Sequence, residues 1–316
     1  MTGRTGSTNQ AVLEVVAADA AAPVPARVAA IADAARARHG TSVCAVLAYG
    51  SALRERDDPS RMVDLYLLVD SYRVAQDKRW LRVANRILPP NVYYIEIPWG
   101  GAGPDGSGEG GASSKVRSKY AMVSLAHLER LVGPGTLHPY FWARFAQPTA
   151  LVWVRDEATA ERVRRVLARA VLTLIEAAWP LTTASDGAET RWVRAFVETY
   201  RTELRSEGPE RARALYRAHA GRYAAIAAAA HEPEAGSQHR SAVQRRWFVR
   251  RVVGKALSVL RLLKAAFTFE DGATYLASKI ESHSGVAVRL TDWQRRHPIL
   301  AAPGLAWRLY RQGAIR

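Results

Sequence analysis

The sequence predicts an α/β domain followed by an all-helical region, and three observations carry that prediction. Short β-branched apolar runs alternate with helical patterns up to about residue 155. Gly- and Pro-containing breaks of the kind that separate strands from helices punctuate them. Beyond residue 156 only helical periodicity remains.

In chain order, residues 1–10 (MTGRTGSTNQ) show no apolar pattern and are expected to be disordered. Residues 11–39, Ala-rich with scattered charges, predict one helix ending at Gly40. Ser42–Ala48 is apolar and β-branched and predicts a buried strand that stops at Gly50-Ser51. A second strand is expected over Met62–Val69, a helix over 73–87 closed by Pro89-Pro90, and a third strand over Asn91–Pro98. Gly100–Ser114, nearly all small residues, reads as a mobile loop before a fourth strand near Lys119–Ser124. Helices are expected at 157–179, 189–206, 209–230 and 241–267, with a helical tail after 272. The expected division is 11–155 for the α/β domain, 156–236 for a helical domain and 237–316 for a basic amphipathic region.

Composition narrows the function classes. In 316 residues, Lys and Arg outnumber Asp and Glu by 45 to 29, a formal charge of +16, which favours a polyanionic partner. The single Cys44 excludes a disulfide framework within the chain and a multi-cysteine zinc site, and its apolar neighbours make it a core residue. The first residues lack the apolar stretch of a signal peptide, and no long charge-free segment suits a membrane span.

The most informative stretch is AYGSALRERDDPSRMVDLYLLVD, residues 48–70. Phosphoryl transfer from a nucleoside triphosphate needs backbone donors and a hydroxyl on the phosphates, and a carboxylate for the Mg²⁺ that neutralises them. Gly50 lets the backbone approach, Ser51 adds a hydroxyl, and Asp64 on the next strand can point to the same place. This is the layout of polymerase-β-type nucleotidyltransferases, except that Tyr66 stands where a second strand acid is usual.

Four blocks extend the likeness: Tyr49-Gly50-Ser51 with Met62-Val63-Asp64 through Val69-Asp70, then Val92-Tyr93-Tyr94, then Lys119-Tyr120 with Val123-Ser124, then Leu137 through Pro148 containing Arg144. In this order they resemble the mitochondrial translocator assembly and maintenance protein family, peripheral CDP-diacylglycerol synthases that also place an apolar residue at the Tyr66 position. The chain departs from the family pattern at Ile95, Ala121 and Ala143. The resemblance implies a nucleotidyltransferase domain, CTP and phosphatidic acid as substrates, and Mg²⁺ as cofactor.

On that reading Gly50, Ser51, Tyr49 and Arg144 bind the nucleotide, Asp64 is the principal metal ligand, and Lys119 neutralises phosphate charge. Glu96, on a strand expected beside that of Asp64, is a further metal-ligand candidate against a plain strand-end acid. Asp70 matches a family acid, but six residues of strand is about 20 Å, so it serves either the metal or the fold. Asp57 and Asp58 read as turn residues, and His127 and His138 as structural.

From Arg240 to Lys264 there are eight Lys or Arg and no acid, interleaved with apolar residues. Such a helix suits an anionic headgroup layer, each cation contributing about 1 kcal/mol. Arg245, Arg246, Trp247, Arg250, Arg251 and Lys255 are the expected lipid contacts, and the expected place is the inner face of a cell membrane, held peripherally. The family's basic C-terminal helix is similar in kind. Two alternatives stay open: another acceptor, such as a different lipid phosphate or an RNA end, and a non-catalytic nucleotide- or membrane-binding relative. Nucleic acid is the less favoured polyanion.

Overall fold

A computed structural model describes residues 2–54, 61–100, 114–183, 185–204, 208–230, 237–268, 291 and 293. The expected loop residues 101–113, Asp57, Asp58 and most of the C-terminal tail lie outside these. The centre is a five-stranded mixed sheet in the order β3-β4-β2-β1-β5. Its strands are β1 (Val43–Tyr49), β2 (Val63–Val69), β3 (Asn91–Trp99), β4 (Ser114–Ser124) and β5 (Thr149–Val154). β2 and β4 run parallel, and every other neighbouring pair is antiparallel. β1 is buried at every position and β2 at all but Asp64, as expected of central strands covered on both faces. The edge strand β5 is a fifth element beyond the four expected.

One face of the sheet packs on α2 (Ala26–Ala37), whose Val28, Ile31, Ala32 and Ala35 recur at helical spacing and are buried. α1 (Thr2–Ala20) precedes it, and its Val12, Val16 and Ala20 repeat every fourth residue on the buried side. Two expectations are corrected here. Residues 2–10 are helical, because extending a helix already docked through Val12 and Val16 costs little beyond its nucleation. The single helix expected over 11–39 is two, broken where Pro23 and Pro25 remove backbone donors.

α3 (Ser51–Arg54), α4 (Tyr72–Ala75) and α5 (Arg79–Ile87) connect the first strands. The helix expected over 73–87 is split at Gln76, which is extended and buried and donates a hydrogen bond to the Tyr93 hydroxyl at 2.7 Å. The other face of the sheet carries α6 (Leu125–Leu131), α7 (Tyr140–Phe145) and α8 (Glu157–Ala178), the last capped by Asp156 accepting from Thr159 N–H. α9 (Ala188–Tyr200), α10 (Pro209–Ala218), α11 (Ala220–Ala229) and α12 (Ser237–Thr268) complete the helical layer. The helix expected over 209–230 is interrupted at His219, whose backbone (φ −139°, ψ 35°) leaves the helical region. A single apolar cluster joins Tyr66 and Leu68 of the sheet to Trp142, Leu167, Trp192, Tyr223 and Trp247 of the helices, so the core runs across the boundary at 155/156. Cys44 belongs to it, donating to Leu68 O, and burial pushes its thiol up to about 11.

α12 is pinned to the rest by polar contacts. Glu198, 1% exposed, pairs with Arg251 at 3.2 Å as well as with Arg194 and Arg201. Arg261 donates to Pro89 O, and Lys264 to Pro90 O and Asn91 Oδ1. Trp247 is buried against Trp142 and donates to Ala177 O, and Arg250 stacks on both rings. Three of the expected lipid contacts are therefore corrected: Trp247, Arg250 and Arg251 serve the packing of α12. Arg245, Arg246 and Lys255 remain exposed, beside Phe248, Val252 and Leu260, which are 61%, 56% and 50% exposed. No helix among the described residues is long and apolar enough to cross a membrane.

Gly254 lies where α12 passes closest to Thr202 and His138; a Cβ there would sit 2.8 Å from Thr202 Cβ and 3.2 Å from His138 Cδ2. Gly254→Ala is expected to destabilise the protein by about 1–3 kcal/mol in urea unfolding, through overpacking. The ordinary gain of up to about 1 kcal/mol for Gly→Ala in a helix would contradict this packing.

Candidate active site

One row of paired residues crosses the whole sheet: Thr149, Tyr49, Asp64, Lys119 and Tyr94. Neighbouring strands are about 4.8 Å apart, so the chemistry-bearing residues in the middle of the row are adjacent by construction. Asp64 shares its parity along β2 with Tyr66 and Leu68, which places it on the face covered by the helical layer. Lys119 Nζ lies 3.4 Å from Asp64 Oδ1. Immediately after β1 the chain turns at Gly50 with φ +87°, a conformation that side chains disfavour. A Cβ at Gly50 would also stand 3.3 Å from Asp64 Oδ2, so the turn lies directly against the carboxylate.

Tyr49, Gly50, Ser51, Asp64, Lys119 and Arg144 all line one cavity of about 210 Å³. Arg144 enters from α7: its Nη1 donates to the Tyr49 hydroxyl at 2.7 Å, and its guanidinium lies over the rings of Tyr49 and Tyr140. No acid among the described residues lies within ion-pair distance of Arg144, and its buried Nε has no hydrogen-bond partner. Burial pushes the Tyr49 phenol up, and its hydroxyl accepts the hydrogen bond from Arg144. Tyr66, where a second acid is usual, is fully buried against Phe145 at 4.9 Å and is not among the residues that line the cavity.

The far wall was not foreseen. Tyr140, Gln147, Thr199, Tyr200, Glu203 and Arg211 line the same cavity from α7 and the α9–α10 region. Tyr140 also receives the Arg261 guanidinium, 4.4 Å from its ring centre, which connects α12 to the site. Sequence spacing offers no signal for Glu203 or Arg211, more than 130 residues from Asp64; only packing brings them there.

Two expected metal ligands fall outside. Glu96 is two strands from Asp64, since β4 intervenes between β3 and β2, and it is held by the Tyr94 hydroxyl at 2.7 Å and Lys115 at 3.3 Å. Burial works to raise its pKa, but these two partners outweigh it and hold the carboxyl below its usual range. Asp70, at the opposite end of β2, accepts both arms of Arg155 at 2.7 and 3.0 Å and fastens the β2 end to the β5 end. It serves the fold. His127 accepts or donates to Tyr72, and His138 is buried beside Arg261 with its pKa lowered to about 3 by burial and that cation, so neither titrates in the cavity.

Among the described residues no three His, Cys, Asp or Glu gather into a metal site. Mg²⁺ does not require one, since it commonly takes one or two carboxylates and completes its shell with substrate phosphates and water. Asp64 suits that part: its Oδ1 is buried and accepts no hydrogen bond, although Lys119 stands near. The arrangement as a whole sets the cations Lys119, Arg144 and Arg211 around two carboxylates, Asp64 and Glu203.

Replacing Arg144 with Met is expected to weaken binding of inorganic tripolyphosphate by more than about tenfold, or 1.4 kcal/mol, in calorimetric titration. Unchanged affinity would remove Arg144 from the anion site. No protein-family model and no curated protein matches the chain.

Proposed function

We propose that this protein is a metal-dependent nucleotidyltransferase of polymerase-β type that transfers a cytidylyl group from CTP to phosphatidic acid at a membrane surface. The observation that carries the reading is the convergence of Gly50, Ser51, Asp64, Lys119 and Arg144 on one cavity, from three strands and a helix. They come from three of the four sequence blocks; the Val92-Tyr93-Tyr94 block contributes no residue to the cavity lining. The choice of CTP and phosphatidic acid rests on the family resemblance of those blocks.

The residues divide the work by chemistry. The Gly50 turn brings backbone close to the phosphates, with the Ser51 hydroxyl beside it. Lys119 and Arg144 supply positive charge in a site whose walls exclude part of the solvent, where it counts for more than in water. Arg144 is held by Tyr49 and Tyr140, so little reorganisation is needed when an anion arrives. Asp64 would hold Mg²⁺, which would supply charge neutralisation for the leaving pyrophosphate. An ionised phosphate oxygen of the acceptor attacks the α-phosphorus in line, a new P–O bond forms, and the α–β bridge breaks. No general base is required, which agrees with a cavity that no histidine among the described residues lines. The exposed Phe248, Val252 and Leu260, with Arg245, Arg246 and Lys255, give α12 a face suited to lipid headgroups, and Arg261 on the same helix touches Tyr140 in the site wall.

Pyrophosphate release from the purified protein, given Mg²⁺, phosphatidic acid in mixed micelles and each nucleoside triphosphate in turn, tests the reading. Release with CTP that requires phosphatidic acid and is abolished in Asp64→Ala is expected. Release with another nucleotide or acceptor would keep the transferase and overturn the substrate. No release with any triphosphate, from protein that still binds anionic vesicles, would favour a non-catalytic module.

A further inference from the structure

A second cavity of about 200 Å³ adjoins the first, and the two share Gly50 and Gln147 in their linings. They differ in chemistry. The first is lined by Lys119, Arg144 and Arg211 beside Asp64 and Glu203, whereas among the described residues no Lys or Arg lines the second. The acid among its described lining residues, Asp19, is tied to Arg222 at 2.6 Å. Ala22, Pro23, Leu53 and Pro148 supply apolar walls, and Gln147, Thr149 and His219 supply a few polar groups. Apolar walls with a small number of polar groups are what a flat, uncharged, polar-edged ring takes, and what a triphosphate does not.

The sheet row fixes the order in space. The second cavity lies at the β5 and β1 end, by Thr149, and the first lies over Asp64 and Lys119 on β2 and β4. Gly50 stands where the two meet and carries no side chain to separate them. A triphosphate on the cations of the first cavity therefore has somewhere for its nucleoside to go. On the other side α12 packs against β3 and touches Tyr140 through Arg261.

Resting on the nucleotidyltransferase reading, we infer that the second cavity is the nucleoside subsite, and that Gln147 at the junction reads the base or ribose with its carboxamide. An amide offers both donors and an acceptor, so it can pair with the polar edge of a neutral heterocycle or with a ribose hydroxyl.

The test compares CTP with inorganic tripolyphosphate, each titrated with Mg²⁺ into the full-length protein. Ala22 is half-buried on the α1–α2 connection and lines only the second cavity, so Ala22→Trp fills that space without touching the first. CTP affinity is expected to fall by about tenfold or more, while tripolyphosphate affinity stays within about twofold. Retained tripolyphosphate binding also shows that the variant is folded. His219→Trp, which fills the cavity from the α10–α11 junction, is expected to do the same. Unchanged CTP affinity in both variants would overturn the inference, as would equal losses for CTP and tripolyphosphate. A raised KM for phosphatidic acid with CTP binding intact would assign the cavity to the acceptor and overturn it too. Failure of the wild-type protein to bind either anion is a separate result, because it refutes the nucleotide-binding reading itself.

Discussion

Asp64 stands between the Lys119 ammonium, 3.4 Å away, and the backbone of Gly50, where a methyl group would lie 3.3 Å from its carboxylate. That close approach constrains much of the molecule. It requires a glycine with positive φ at the end of β1 and a register that pairs Tyr49 with Asp64 and Asp64 with Lys119. A one-residue slip of β2 would turn Asp64 into the α2 side and turn Val63, Leu65, Leu67 and Val69 away from α2, breaking the packing on both faces of the sheet. The apolar residues that fix the register thus fix the carboxylate.

The helical layer completes the site and also ties it to the surface. Arg144 and Arg261 both lie over Tyr140, so a ring in the cavity wall is shared between an anion-facing cation and the long helix α12. α12 is held by Glu198, a buried carboxylate with three arginine partners, and by the tight pass of Gly254 over Thr202. Loss of a partner from a buried ionic cluster is costly because it leaves charge uncompensated, so this seat is well determined. Its outer face carries apolar and basic residues together.

Much of this was legible in the sequence, for identifiable reasons. β1 and β2 announce themselves because central strands buried on both faces are continuously apolar, and Asp64 stands out as the one polar break in β2. Arg144 was found through its sequence block, far from Asp64 along the chain. β5 carries the same signal in Thr149–Val154 and was legible, although the expected elements omit it. Glu203, Tyr200 and Arg211 were not, since helix periodicity says which face is buried and not which distant strand it meets. The placement of Glu96 depended on strand order, which β4 changes by inserting between β2 and β3. Trp247 and Arg250 show the same limit: a basic helix with a Trp reads alike whether the Trp faces lipid or Trp142.

The central claim is that Asp64 and a bound triphosphate hold one divalent ion together. Mn²⁺ in place of Mg²⁺ allows this to be measured directly, by electron paramagnetic resonance of the bound ion with and without CTP. Mn²⁺ binding that CTP strengthens in the wild-type protein, and that Asp64→Asn removes, is the predicted result. Equal Mn²⁺ binding in the presence of CTP by wild type and Asp64→Asn would contradict it.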